Sequence, residues 1–65
     1  MAIDIRTARL AAGLTQKQLG EACGYKGDPA QVYVAMWENG TRPIPRNKLR
    51  AVAKALNVPV DELLP

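Results

Sequence analysis

Apolar and polar residues recur along this chain at helical spacing, in short stretches separated by glycine, asparagine or proline. Ile5, Ala8 and Ala12 share one face after Asp4, which is suited to cap a helix start, and Gly13 closes that segment. A second helix is predicted over about residues 16–23. Thr15 is its N-cap, Gln18 completes a reciprocal capping box, and Gly24 supplies the left-handed stop. Asp28-Pro29-Ala30-Gln31 repeats the start signal, with Asp28 as cap and Pro29 at the first helical position. The third helix then covers about residues 29–38 and stops at Asn39-Gly40. Leu14, Leu19, Val34 and Trp37 give these two helices an apolar side, while Gln16, Lys17, Gln31 and Tyr33 are left facing outward.

Pro43 and Pro45 forbid helix before Pro45 and favour one starting there. Leu49, Val52, Ala53 and Leu56 then fall on one stripe, so a fourth helix runs from Pro45 or Arg46 to Leu56 and stops at Asn57. A last short helix over residues 60–64 follows Pro59, with Asp61 and Glu62 near its positive end. Met1 to Ile3 read as a short arm. The pattern therefore predicts an all-α domain of five short helices, organised around two helices joined by a turn.

Sixty-five residues with 48% hydrophobic content make one domain, residues 1–65, near the lower limit for a core that folds unaided. A single cysteine, Cys23, excludes an intrachain disulfide, and the lack of histidine excludes a Cys/His zinc site. A reducing, cytoplasmic setting is expected, because no apolar run approaches the roughly 20 residues of a membrane span and the N-terminus lacks a leader pattern. Without serine or histidine there is no ordinary catalytic triad, and the acids are scattered, so an enzyme is not expected. Nothing calls for a cofactor, a metal or a small-molecule ligand.

Net charge is +3, and its distribution is uneven. Arg42, Arg46, Lys48, Arg50 and Lys54 follow the third helix with no acid among them. Such a stripe is either a footprint for an anionic partner or the solvated face of an ordinary exposed helix.

The segments LTQKQLGEACG, WENGTRP and LRAVAKALNVPVDELL resemble the phage-repressor-like helix-turn-helix family, the Cro/C1 type or XRE family, across nearly the whole chain. The resemblance implies a compact five-helix, lambda-repressor-like domain that binds a short double-stranded DNA operator to regulate transcription. Such a protein is usually a repressor and a homodimer on a palindrome, the dimer formed beforehand or only on DNA. By the same resemblance, Gln31, Val32 and Met36 occupy the base-facing positions of the recognition helix, and Gln16 occupies a phosphate-contacting one. Arg9 and Glu38 occupy the positions of a buried structural ion pair. Lys17, Lys26, Tyr33, Asn39, Thr41 and Arg42 join Gln16 as candidates for backbone contacts, because donors at helix starts and in loops suit phosphate.

Each candidate has a plainer alternative: Gln31 as a capping residue for Asp28, Val32 and Met36 as core, Tyr33 as an ordinary surface residue. Trp37 and Cys23 read as core. The segment Gly24 to Asp28 is longer than the roughly three to four residues usual between the two helices of this motif. Either the turn is longer or the third helix gains part of a turn at its start. The dimer surface is expected near the fifth helix, at Leu63, Leu64 and Pro65. A second functional reading is a protein-interaction module such as an antitoxin-like subunit, with DNA binding secondary. Salt dependence separates the two, since counterion release is the signature of DNA binding.

Overall fold

Asp4 accepts a hydrogen bond from the Arg6 N–H at 3.2 Å and so starts α1, Ile5–Ala11. This is the first element of the computed structural model, which describes residues 4–63. Ala12 caps the helix and Gly13 turns the chain at φ 75°. The next helix, α2 (Gln16–Ala22), opens on the expected capping box: Thr15 Oγ1 accepts from the Gln18 N–H, and Gln18 Oε1 accepts from the Thr15 N–H at 2.8 Å. Two donors left open by the helix start are thereby satisfied.

The third helix, α3, spans Asp28–Asn39, starting one residue earlier and ending one later than its local signals indicate. Gly27, at φ 71° and ψ −151°, takes the cap position instead of Asp28, and no side chain caps the helix. Gln31 is therefore not a capping partner of Asp28. The Asp28 carboxylate instead lies within the first turn, where it complements the positive end of the helix dipole. Gly40 ends α3 in the left-handed conformation. After the Pro43–Pro45 segment, α4 (Arg46–Leu56) ends at Asn57, also left-handed at φ 57°.

The chain after Pro59 departs from expectation. Residues Val60–Leu63 form a single 3-10 turn, held by the Glu62 N–H donating to the Pro59 carbonyl, so the described residues form four α-helices rather than five. The i to i+3 bond of a 3-10 turn is tighter than an α-helical one and serves for short pieces of this kind. Leu64, Pro65 and the arm Met1–Ile3 lie outside the described residues. No strand occurs among the described ones.

Leu19, Val34 and Val52, one from each of α2, α3 and α4, are fully buried at the centre, and Ala8, Cys23, Trp37 and Leu56 pack around them. Helices α2 and α3 meet at Gly20. A methyl group there would stand 2.4 Å from the Ala30 carbonyl oxygen, so the crossing exists only because Gly20 has no side chain. The long connection before α3 is pinned. Tyr25 stacks on Tyr33 with ring centroids 4.2 Å apart, and Lys48 Nζ lies 4.8 Å from the Tyr25 ring centroid while donating to the Cys23 carbonyl at 2.9 Å. The longer turn is thus seated on α3 and α4, and it fixes where α3 begins.

Candidate nucleic-acid interface

Ala30, Val34 and Trp37 define the buried side of α3. At roughly 100° per residue the opposite side carries Asp28, Val32, Ala35, Met36 and Asn39, with Gln31 on one flank. Gln31 and Val32 are exposed, and Met36 is half-buried. Val34 and Trp37 are core, and Val32 is not.

Two clefts flank this ridge. One, of about 710 Å³, is lined by residues of α1, α2 and α3, including Arg6, Gln16, Lys17, Gln31 and Glu38. At its floor Arg9 Nε donates to Glu38 Oε2 at 2.6 Å and Gln16 Nε2 donates to Glu38 Oε1 at 3.1 Å. Arg9 also donates through Nη1 to the Leu14 carbonyl at 2.8 Å. One carboxylate therefore ties α1, the start of α2 and the end of α3 together. An ionised carboxylate only accepts, so it fixes which end of the Gln16 amide faces it: the nitrogen faces Glu38 and the carbonyl is turned away. Both Arg9 and Glu38 are nearly buried, an arrangement that specifies orientation more than it adds net stability.

The second cleft, of about 450 Å³, is lined by Asp28, Pro29, Val32, Tyr33, Met36 and Arg42. Gln31 borders the first cleft; Val32 and Met36 border the second. Lys17, Lys26 and Arg42 are exposed around these surfaces. Tyr33 is half-buried beneath its stack with Tyr25. Asn39 Oδ1 accepts from the Thr41 N–H at 2.9 Å and from the Thr41 hydroxyl, so that hydroxyl proton is already committed and only the Asn39 amide nitrogen is left to donate elsewhere.

Arg6 carries no motif of its own in the sequence, yet it lines the same cleft as Gln16 and Lys17. Its spacing of one helical turn from Arg9 is the signal that could have found it. Lys48 leaves the basic stripe, because its ammonium is held by the Cys23 carbonyl and the Tyr25 ring, while Arg42, Arg46, Arg50 and Lys54 remain exposed. Burial pushes the Cys23 thiol above its ordinary pKa, partly offset by Lys48, and burial followed by Tyr33 and Cys23 raises Tyr25. Neither adds negative charge at neutral pH.

Among the described residues a half-exposed α2 braces an outward ridge of α3, which is the arrangement of a helix-turn-helix. A family model described as helix-turn-helix matches residues 5–63, and the chain belongs to that family, in its Cro/C1 type. It is a DNA-binding regulatory domain. No curated protein and no solved structure matches the chain. Among the described residues, no helix is long and apolar enough to cross a membrane, and no cluster of metal-ligating side chains occurs.

Proposed function

We propose that this chain is a sequence-specific transcriptional repressor that binds a short palindromic operator as a homodimer, with α3 in the major groove and α2 across the backbone above it. The observation that carries the reading is the shared cleft of Gln16 and Gln31, in which Glu38 turns the Gln16 carbonyl away from itself. That carbonyl accepts from the Gln31 amide on the DNA, and the remaining Gln16 N–H donates to a phosphate. Gln31, so oriented, pairs with adenine N6 and N7. Val32 and Met36 face bases. Lys17, Lys26, Tyr33, Asn39 and Arg42 contact the backbone and set the register without reading sequence, whereas Thr41, whose two donors are held by Asn39, orients the Asn39 amide instead of touching phosphate.

A domain this size offers one recognition helix, too little surface for tight specific binding alone, and a dimer doubles it. Half-sites then repeat roughly 34 Å apart, one helical turn of DNA. Repression follows by occlusion when the operator overlaps a promoter. Selection of bound sites from random duplexes, followed by footprinting, tests the proposal. Two dyad-related half-sites are expected, and a single isolated half-site at saturating protein contradicts the dimer. Affinity should fall steeply with salt; salt-insensitive co-purification with a protein would favour an antitoxin-like role instead.

A further inference from the structure

The twelve residues of α3 include no arginine and no lysine. Their only charges are Asp28 and Glu38, and Glu38 is consumed by Arg9 and Gln16. In the major groove guanine presents two acceptors, N7 and O6, and its commonest specific partner is a bidentate arginine or lysine. The ridge of α3 has neither. Asp28, an acceptor only, is repelled by the same guanine atoms and can pair only with an amino group, cytosine N4 or adenine N6.

The ridge offers apolar surface instead. Val32 is 55% exposed, and with Pro29 and Met36 it lines the second cleft. The one apolar feature of the major groove is the thymine 5-methyl group. Cations stand beside the ridge rather than on it: Lys17 and Lys26 are exposed, and Arg42 lines the second cleft with Val32 and Met36, within a chain of net charge +3. A duplex therefore fits this surface in both chemistry and charge: cations for its strands at the flanks, apolar side chains for its groove floor at the centre.

We infer that the recognition helix derives most of its sequence discrimination from thymine methyl groups, contacted by Val32 and Met36, with Gln31 taking an adenine, so that each half-site has an A·T core. The inference rests on the DNA-binding reading above and adds the chemical group that is recognised.

Replacing thymine by deoxyuridine removes the methyl and leaves every hydrogen-bonding atom in place. Each thymine of the selected duplex is exchanged in turn, and affinity for the full chain is read by fluorescence anisotropy. At two or more positions of each half-site the loss should be about fourfold, the worth of covering one methyl-sized group. Val32→Ala should abolish the thymine preference at one of these positions and Met36→Ala at another. Both side chains lie outside the central core, and melting curves confirm that the variants remain folded.

Equal binding of thymine and uracil duplexes at every position overturns this inference and leaves DNA binding standing. So does retention of the full thymine preference by both alanine variants. Failure to retain any duplex from the random pool overturns the inference and the DNA-binding reading together, as does finding that a protein partner alone occupies the Val32 and Met36 surface.

Discussion

Gly20→Ala is the substitution whose outcome depends most on the packing of α2 against α3. In an exposed helix interior it would stabilise by roughly 1 kcal/mol, because glycine is the poorer helix former. Here the added Cβ meets the Ala30 carbonyl oxygen at 2.4 Å, the carbonyl carbon at 2.7 Å and the Ala30 Cβ at 2.7 Å. Two of these atoms are backbone, so no rotamer change relieves the contact and α3 itself has to move outward. Overpacking of this kind costs about 1–3 kcal/mol, and the upper end applies when backbone must shift. After the helix-propensity gain, a net loss of about 2 kcal/mol remains. For a domain of this size that lowers the melting temperature by roughly 10 °C. Thermal unfolding followed by circular dichroism measures it directly. Because α3 carries Gln31 and Val32, site preference should weaken as well. A variant as stable as the parent, or more stable, would refute the close approach of α2 to α3.

Trp37→Ala should cost ~3–5 kcal/mol, since the ring is 7% exposed and packs in the central cluster, and urea titration should find little folded protein. Glu38→Ala should cost about 3–5 kcal/mol by leaving the Arg9 guanidinium buried without its counter-charge. Adding Arg9→Met should recover much of that loss, as equilibrium unfolding of both variants checks. Arg42→Ala should leave folding intact, weaken binding to all sequences alike and reduce the salt slope by about one, which titrations at several salt concentrations resolve.

What was legible in the chain was what local chemistry decides. The Thr15 and Gln18 capping box and the left-handed Asn57 each depend on neighbours a few residues away, and the structure contains both. At Asp28 two local signals compete. A carboxylate before proline suggests a cap, but Gly27 adopts a conformation other residues resist, so the chain enters the helix one residue earlier. The apolar and acidic pattern of residues 60–64 suggests helix, whereas Val60–Leu63 form a 3-10 turn closed by the Glu62 N–H on the Pro59 carbonyl.

The geometry of the candidate site was harder to read, because it comes from contacts distant in sequence. Lys48 looks like one more cation of a stripe until the Cys23 carbonyl and the Tyr25 ring claim it. Gly20 carries no signal at all, since its role is defined by Ala30 on another helix. Glu38 and Gln16 are 22 positions apart, and no periodicity reveals that one orients the other.

The most direct test of the central claim maps backbone amide shifts of the labelled protein during titration with a selected duplex. Changes should concentrate at Gln16 and Lys17, along Asp28 to Met36 and at Arg42, while Thr7, Ala11 and Leu56, around a cleft that α3 does not line, stay unchanged. Changes centred on that cleft, with α3 silent, would contradict α3 as the element that enters the groove.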